Sequence, residues 1–261
     1  MSASDGVNPT ELAELCYQYK YDYRNRLVEK KIPGKGWEYI VYNKLDQPVM
    51  TQDPLLKAEG AWLFTKYDPF GRVAYTGSIT DDRDREVIQN EANAYTNVLW
   101  VARGGAVIIG GVTMYYNDAG YPKTQNAEVF TINYYDDYEF LANEDALFNN
   151  PTTVYNAAIT DRTKSLATAS KVKVLETNDW ITSVTYYDQK ARPIYVLSTN
   201  EYLDTVDKIE TKLDFVGRVR ESKATHTKGS NAPIVTVDTF TYDHMGRLLT
   251  CLLYTSPSPR D

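Results

Sequence analysis

A short pattern recurs along this chain of 261 residues: Tyr, then Asp or Asn, two variable residues, usually Gly, and usually Arg. A recurring unit of this kind predicts an array of one small structural element rather than a single irregular core. The copies, with the clearest two first, are Tyr67-Asp68-Pro69-Phe70-Gly71-Arg72, Tyr242-Asp243-His244-Met245-Gly246-Arg247, Leu213-Asp214-Phe215-Val216-Gly217-Arg218, Tyr187-Asp188-Gln189-Lys190-Ala191-Arg192, Tyr21-Asp22-Tyr23-Arg24-Asn25-Arg26, and the weaker Tyr42-Asn43-Lys44-Leu45-Asp46-Gln47 and Tyr116-Asn117-Asp118-Ala119-Gly120-Tyr121.

The spacing within the motif predicts a tight turn. An Asp or Asn side chain at the first turn position can accept hydrogen bonds from the backbone ahead of it, and Gly at the fourth position adopts a positive φ without steric cost. Asn25 and Asp46 stand where Gly stands elsewhere, and these residue types tolerate the left-handed region best. Ala191 does not fit this interpretation. A turn of this type commonly closes a β-hairpin.

The segments on either side of the motifs are typical of strands. Val184-Thr185-Tyr186-Tyr187 enters one turn and Pro193-Ile194-Tyr195-Val196-Leu197 leaves it, and both are rich in β-branched and aromatic residues. We therefore predict an all-β fold, an array of consecutive antiparallel β-hairpins with one short helical insertion. Val87, Ile88, Ala92 and Tyr95 fall at helical spacing in that insertion.

The chain divides into segments by pattern. Thr10 to Leu15 is compatible with a short helix or with an entry strand. The predicted segments are a leader at 1–18, hairpins at 19–78, an insertion with a helix at 79–113, hairpins at 114–250 with a long polar loop near 141–165, and a distinct tail at 251–261.

The recurrent Tyr and Arg side chains suggest contacts between neighbouring hairpins. Tyr rings in register would form a ladder, and Arg can lie on a ring face or pair with the turn Asp. A Tyr-rich face is also compatible with a sugar-binding platform, but repeat arrays generally use their periodic residues for neighbour contacts. We therefore assign structural roles to Tyr21, Asp22, Arg26, Tyr67, Asp68, Gly71, Arg72, Tyr187, Asp188, Arg192, Asp214, Gly217, Arg218, Tyr242, Asp243, Gly246 and Arg247.

The motif resembles that of the YD-repeat, or Rhs-repeat, proteins of bacteria, whose unit is close to Tyr-Asp-x-x-Gly-Arg-Leu. The segment from Tyr242 to Leu248 matches this unit fully, and the one from Tyr67 to Val73 matches with a conservative end. The resemblance extends over most of residues 19–250, and it is to the amino-terminal part of the large Rhs-type proteins.

The resemblance implies a β-sheet strip that spirals into a shell, which in relatives encloses a carboxy-terminal toxin. It implies a non-catalytic scaffold in a toxin-delivery or cell-contact system, located at the cell surface or secreted. The implied partners are the rest of a longer chain and an enclosed toxin domain. An adhesion module that binds cell-surface glycans is the alternative, and a glycan-acting enzyme is a third possibility that no residue pattern favours.

The tail from Cys251 to Asp261 breaks the pattern abruptly. It resembles the in-frame translation of a transposase-type sequencing adapter, and such segments are excluded from fold reasoning. The alternative is a disordered terminus rich in Pro and Ser. On the adapter hypothesis the native chain continues past Thr250 and the last hairpin is interrupted near its middle.

Composition limits the classes of partner. A formal net charge of −7 argues against a nucleic-acid surface, which needs clustered Lys and Arg. No apolar run has the roughly 18 residues that a membrane span requires.

Tyr outnumbers Phe by 22 to 7, which favours half-exposed sheet faces over one deep core. Met1 to Thr10 lacks the pattern of a signal peptide. If Cys251 belongs to the adapter, Cys16 has no disulfide partner in the chain.

Candidate sites for chemistry are weak. The glycines of Arg103 to Gly111 lack the spacing of a phosphate-binding loop and suggest a strand between two turns. His226 and His244 do not suggest a metal site or a catalytic triad. The acidic runs at 81–84 and 135–138 lack the spacing of a calcium loop. We predict no catalytic residue, no bound cofactor and no metal.

Overall fold

A computed structural model describes residues 8–143, 148 and 151–255 of the chain. These residues form mostly antiparallel strands with three short α-helices, so the predicted all-β array of hairpins is confirmed. The helix expected in the insertion is present, the segment from Thr10 to Leu15 is helical instead of forming an entry strand, and the short helix Pro54–Ala58 was not expected. The chain forms two compact units, residues 1–130 and 131–261, and the predicted segment boundaries stay predictions.

In the first unit six strands follow one another, and each pairs antiparallel with the next. They are β1 (Gln18–Tyr21), β2 (Leu27–Lys31), β3 (Trp37–Tyr42), β4 (Pro48–Gln52), β5 (Ala61–Tyr67) and β6 (Val73–Thr80). Motif turns connect β1 to β2, β3 to β4 and β5 to β6. Because successive strands alternate in direction, these three turns lie at the same edge of the six strands.

A separate hairpin follows, formed by β7 (Arg103–Ile109) and β8 (Val112–Tyr116). Gly110 and Gly111, both at positive φ, make its turn. Gly104 and Gly105 lie within β7 instead of forming a first turn, so only one of the two expected glycine turns is present. The weak motif copy at 116–121 does not close a hairpin, because β8 ends at Tyr116 and the next strand, β9 (Glu128–Asp136), starts much later.

The three helices are α1 (Pro9–Leu15), α2 (Pro54–Ala58) and α3 (Arg85–Ala94). Helix α3 lies in the predicted insertion, with Ile88 and Ala92 buried and Val87 exposed. It packs on β3 through Gln89, whose side-chain amide accepts from the Tyr42 nitrogen at 3.0 Å and donates to the Tyr42 oxygen at 2.8 Å. The Gln89 amide thus satisfies both backbone groups of Tyr42, as a neighbouring strand would do.

In the second unit β9 pairs with β12, and each strand from β12 to β18 pairs antiparallel with the next. The strands are β12 (Thr163–Lys173), β13 (Trp180–Tyr187), β14 (Pro193–Asn200), β15 (Thr205–Leu213), β16 (Val219–Lys228), β17 (Ile234–Tyr242) and β18 (Leu248–Thr255). Motif turns connect β13 to β14, β15 to β16 and β17 to β18.

The predicted loop at 141–165 is only partly irregular. It contains the end of a 3-10 helix (Glu139–Asn143), a short hairpin of β10 (Thr153–Val154) and β11 (Ala157–Ala158), and the start of β12. Tyr155 and Asn156 both have positive φ, which suits the two-residue turn between β10 and β11. Residues 144–147 and 149–150 of this loop lie outside the described residues.

Several tyrosines are fully buried, contrary to the expectation of half-exposed faces. Tyr75 and Tyr116 lie in the core of the first unit with their ring centroids 6.3 Å apart, and Phe64 meets the Tyr75 ring edge-on at 6.0 Å. In the second unit Tyr134 stacks on Phe140 at 4.2 Å. The tyrosines therefore form two classes, one in the cores and one at the motif turns.

Strand β18 extends from the last motif into the segment that resembles an adapter. Cys251 is opposite Phe240 and Tyr254 is opposite Val237, while every residue of β18 is exposed. The adapter hypothesis stays a prediction, and residues 256–261 lie outside the described part of the chain, as do residues 1–7 of the predicted leader.

Candidate functional site

Each motif that closes a hairpin folds into the same hydrogen-bonded turn. At the β5–β6 turn, Asp68 Oδ1 accepts from the backbone nitrogens of Phe70 and Arg72, both at 2.9 Å, and Asp68 Oδ2 accepts from Arg72 Nε at 2.6 Å. The nitrogen of Gly71 donates to the Asp68 carbonyl at 3.0 Å. One carboxylate thus satisfies the turn backbone and holds the motif arginine in place.

The fourth turn position has a positive φ in every motif that closes a hairpin. Gly71, Gly217 and Gly246 have φ values of 78°, 102° and 80°. Asn25 and Asp46, the residues expected to replace Gly, have φ values of 59° and 60°. Ala191 also has a positive φ, at 60°, so this turn keeps its shape although an alanine is strained there.

Backbone and side-chain donors keep the carboxylates of Asp214 and Asp243 ionised. The backbone amide of Arg218, joined by its guanidinium, lowers the pKa of Asp214 to about 2, against a smaller opposing effect of burial. The backbone amide and then the guanidinium of Arg247 lower the pKa of Asp243 in the same way. These turns therefore retain their ion pairs in mildly acidic solution.

The motif arginine of one hairpin lies opposite the motif tyrosine of the next. Continuing the pairing of Glu29 with Tyr39 toward the turn places Arg26 opposite Tyr42. The same register recurs in the other three places where one motif hairpin pairs with the next along the chain within a unit. It places Gln47 opposite Tyr67, Arg192 opposite Leu213, and Arg218 opposite Tyr242. We call these four contacts the hairpin joints.

At the two joints that have both residues, the arginine covers the ring of the tyrosine. The guanidinium carbon of Arg26 lies 4.7 Å from the centroid of the Tyr42 ring, and that of Arg218 lies 5.3 Å from the centroid of the Tyr242 ring. Cation–π contacts of this kind contribute about 0.5–1 kcal/mol at exposed sites and more when desolvated. At these two joints the tyrosine ring is therefore in contact with an arginine, which is one of the contacts expected from the motif.

At least one hydrogen bond crosses each joint, and at the joint of Arg26 with Tyr42 hydrogen bonds cross in both directions. The hydroxyl groups of Tyr42, Tyr67 and Tyr242 donate to the carbonyls of Leu27, Pro48 and Val219, each at 2.9 Å. In the opposite direction Arg192 Nη1 donates to the Asp214 carbonyl at 3.2 Å, and Arg26 Nη1 to the Asn43 carbonyl at 3.4 Å. Both polar residues of the motif therefore bind the neighbouring hairpin.

At the joints the glycine of one turn lies close to the arginine of the preceding hairpin. A Cβ on Gly217 would lie 3.4 Å from Arg192 Nη1, and one on Gly246 would lie 3.3 Å from Arg218 Nη1. Asp46 instead binds the incoming arginine, with Arg26 Nη1 2.7 Å from its carboxylate. The turn that contains Ala191 has no motif arginine beside it on the neighbouring strand. When the β12–β13 register is continued, Leu166 is opposite Tyr187 in the place where an arginine lies at the joints. A methyl group is therefore tolerated at Ala191.

We predict that Ala191→Gly stabilises the protein by about 1 kcal/mol, because the left-handed conformation costs an L-residue about 1–2 kcal/mol and the greater freedom of unfolded Gly offsets part of the gain. Gly217→Ala is the matched reverse change, and it should destabilise by about as much because Gly217 also has a positive φ. Urea unfolding measures both. A loss of stability in Ala191→Gly would contradict the strained-turn interpretation.

A buried polar cluster in the first unit was not predicted. Lys66 is 2% exposed, and its ammonium lies 3.3 Å from Asp118 Oδ1 and donates to the carbonyls of Ala119 and Gly120 at 2.9 and 3.2 Å. Asp118 also accepts from Thr124 Oγ1 at 2.7 Å. Burial lowers the pKa of Lys66 to about 8, with Asp118 opposing the shift.

This cluster holds a loop against the core of its unit. The Tyr75 hydroxyl lies 3.2 Å from Thr124 Oγ1, and burial raises the pKa of that hydroxyl. An amine of lowered pKa can act as a nucleophile, but this one is enclosed and saturated by loop oxygens. We therefore assign the cluster a structural role.

The other candidates do not assemble into a site. His226 Nδ1 lies 2.6 Å from Asp207 Oδ1 on exposed strands, and His244 lies in a turn. The carboxylate of Asp81 forms an ion pair with the guanidinium of Arg83, with Arg83 Nη2 2.7 Å from Asp81 Oδ2. Within residues 8–143, 148 and 151–255, no three His, Cys, Asp or Glu side chains are grouped as metal ligands.

Two shallow clefts occur in the first unit. One of about 260 Å³ is lined by Tyr39, Glu38, Gln52 and Asp53 among others, and one of about 240 Å³ lies between α3 and the β1–β2 turn. Neither contains a strongly perturbed titratable group. In the described part of the chain, none of the helices has the length and apolar character needed to cross a membrane.

No protein-family model matches the chain, and no curated protein matches it. Matching solved structures include the crystal structures of TcdB2-TccC3-Cdc42, at TM-score 0.31, and TcdB2-TccC3-TEV, at 0.33, each with 9% identity over 91% of this chain. TcdB2-TccC3 without its hypervariable C-terminal region matches at TM-score 0.33 and 9% identity over 94% of this chain. The chain spans 11% of the length of each of these chains. Similarity at this level says nothing about function.

Proposed function

We propose that this chain is a non-catalytic structural segment of an Rhs/YD-repeat protein. The observation that carries the proposal is the hairpin joint, in which the motif Tyr, Asp and Arg bind one another and the neighbouring hairpin. Side chains engaged in this way are not free to bind a substrate. Repetition of one joint along a chain is the property that a scaffold needs, because each unit is stabilised by its neighbours.

The finer function follows from the resemblance of the motif and belongs to the proposal. The segment would be part of a shell or surface scaffold in a bacterial toxin-delivery or cell-contact system, exposed at the cell surface or secreted. Its partners would be the other repeats of a longer protein and a toxin domain enclosed by them. The turn geometry and the joint register support this by showing how one motif can extend a sheet.

The gene in its source DNA tests this proposal. We expect the codons beyond that for Thr250 to encode further copies of the motif, followed by a core and a variable terminal domain. Such a reading frame would identify the toxin or other cargo directly. A frame that ends within a few repeats, or that contains the codons for Cys251 to Asp261 as genomic sequence, would contradict the shell proposal.

A carbohydrate-binding role is the second candidate, favoured by tyrosines on β1. Tyr19 and Tyr21 alternate onto one face of this strand and are 50% and 60% exposed. Glycan-array binding that Tyr19→Ala abolishes, while Leu12→Ala leaves it unchanged, would support this role. A correctly folded protein that binds no glycan on the array would exclude the carbohydrate-binding role. We expect no turnover of polysaccharides, because no residue pattern singles out a pair of carboxylates for glycoside cleavage.

A further inference from the structure

The two edges of the second unit differ in charge. Because the strands from β12 to β18 alternate in direction, the motif turns after β13, β15 and β17 lie at one edge, which we call the motif edge. The connections after β12, β14 and β16 lie at the opposite edge. Those connections contain no Lys or Arg, and they contain the acidic residues Glu176, Asp179, Glu201 and Asp204. The opposite edge is therefore acidic.

At the motif edge the acidic groups are covered and paired. The side chains of Asp188, Asp214 and Asp243 are 7%, 14% and 13% exposed, and each forms an ion pair with the arginine of its own turn. Lys190, at a variable position of its turn, is exposed. The accessible charge of these turns is therefore positive, although the net charge of the chain is −7.

Large apolar side chains form the apices of two of these turns. Phe215 and Val216 are 87% and 75% exposed, and Met245 is 70% exposed. The hydrogen bonds of the turn do not require them, since Val216 contributes its backbone nitrogen, which donates to Asp214 Oδ1 at 3.0 Å. Turn positions are usually taken by Gly, Pro, Asn, Asp or Ser. Exposed apolar groups that the fold does not use indicate a contact with something outside the unit.

The apices form one surface with Lys190. Neighbouring hairpins are about 10 Å apart across a sheet, and the Lys190 ammonium reaches the next hairpin, where it lies 4.3 Å from the centroid of the Phe215 ring. The hairpin of Phe215 has a paired hairpin on each side, β13–β14 and β17–β18. A further hairpin would pair with the strand at an end of this row and would leave the apices uncovered. The exposure of Phe215 and Val216 therefore belongs to an internal part of the sheet.

We propose that the motif edge of the second unit binds the surface of a bilayer that contains anionic lipids. Phe215, Val216 and Met245 would enter the interfacial region, and the ammonium of Lys190 would lie among the headgroup phosphates. Anionic headgroups attract basic residues near the surface, and burial of the apolar apices adds to this attraction. The same surface would repel the acidic opposite edge, so charge and apolar contact favour one orientation.

A lipid surface fits these groups better than other anionic partners do. Nucleic acid would use the charge of Lys190 through its phosphates but would leave the apolar apices in water. This inference goes beyond the proposed function, which concerns the joints within the chain and involves no lipid.

Co-sedimentation of the whole chain with vesicles tests the proposal. The vesicles contain phosphatidylcholine, either alone or mixed with the anionic lipid phosphatidylglycerol. We expect binding to the mixed vesicles that weakens as salt is added, and little binding to phosphatidylcholine alone. Phe215→Ser should weaken binding about tenfold. Lys190→Gln should weaken it about fivefold, because it removes one basic residue near an anionic surface. A parent chain that binds neither kind of vesicle, or both equally, would overturn the proposal.

Tyr202→Ser is the matched control. Tyr202 and Phe215 lie beyond opposite ends of β15, and Tyr202 is 61% exposed at the acidic edge. This variant should bind vesicles like the parent. If it weakens binding as much as Phe215→Ser does, or if Phe215→Ser binds normally, the motif edge is not the binding surface and the proposal is wrong. Urea unfolding shows that each variant is folded. A failure to bind vesicles would leave the joints, and with them the proposed function, unaffected.

Discussion

Asp68→Ala is expected to lower the free energy of unfolding by about 3 kcal/mol. The Asp68 residue is 5% exposed, and its carboxylate accepts two backbone hydrogen bonds and one from the guanidinium of Arg72. The variant leaves these nitrogen donors without that acceptor in a place that water reaches poorly. The turn between β5 and β6 then loses the group that fixes its shape. Urea denaturation followed by tryptophan fluorescence measures the loss.

Asp243→Ala is the matched control for this prediction. Asp243 Oδ1 accepts from the Arg247 nitrogen at 2.8 Å and Asp243 Oδ2 from Arg247 Nε at 2.7 Å, as in the β5–β6 turn. The Arg247 side chain is 78% exposed, so water can replace the lost partner. We therefore expect a much smaller loss than at Asp68. Equal small losses at both positions would show that the turn carboxylate does not stabilise the array.

Stability should rise with pH in the alkaline range because of Lys66. Burial lowers its pKa in the folded protein to about 8, from an ordinary value of 10.5. Between these pH values the unfolded chain keeps a proton that the folded chain has released, so increasing pH favours the folded state. Integrated over the interval, the gain is up to about 3 kcal/mol. Below pH 8 the amine is charged in both states and its contribution is constant.

The measurement compares the parent with Lys66→Met at several pH values. The variant lacks the amine but keeps the hydrogen bonds between Asp118 and Thr124. Asp118, Lys123 and Tyr75 are present in both proteins, so the difference in unfolding free energy isolates Lys66. We expect this difference to shift in favour of the parent between pH 8 and 10.5. A difference that does not change with pH would contradict the lowered pKa, and Lys164→Met should show none.

The turns could be predicted from the sequence because their chemistry is local. Asp at the first turn position and a residue tolerant of positive φ at the fourth lie within a few residues of each other. This reasoning extended correctly to Asn25 and Asp46, whose φ values are positive. Ala191 adopts the same conformation without a favourable residue type. The surrounding hairpin therefore determines the turn as strongly as the residue itself does.

The contacts between hairpins could not be predicted in detail because they depend on register. The motif places a tyrosine and an arginine at its two ends. It does not show that the tyrosine contacts the preceding copy and the arginine the following one. Nor does the motif explain why a Cβ is accepted at Ala191 and absent at Gly217. The two positions differ in the residue of the previous hairpin, since Arg192 lies next to Gly217 and Leu166 takes the corresponding place before Ala191.

The cluster around Lys66 had a weak signal in the sequence. Lys66 alternates with Trp62 and Phe64, so a lysine falls on the buried face of β5. Its partner Asp118 is 52 residues away in a loop whose path the strand pattern does not specify. The tyrosine count was misleading for a similar reason, since composition does not separate core tyrosines such as Tyr75 from motif tyrosines such as Tyr42.

The central claim is that the motif residues join neighbouring hairpins, and a double-mutant cycle on Arg26 and Tyr42 tests it most directly. The variants are Arg26→Ala, Tyr42→Leu, which copies the residue found at Leu213, and the double change. We predict a coupling free energy of about 1 kcal/mol in urea unfolding. The control pair, Arg26 with Tyr187, belongs to different joints and should be additive. Additivity within about 0.3–0.5 kcal/mol for Arg26 and Tyr42 as well would contradict the claim.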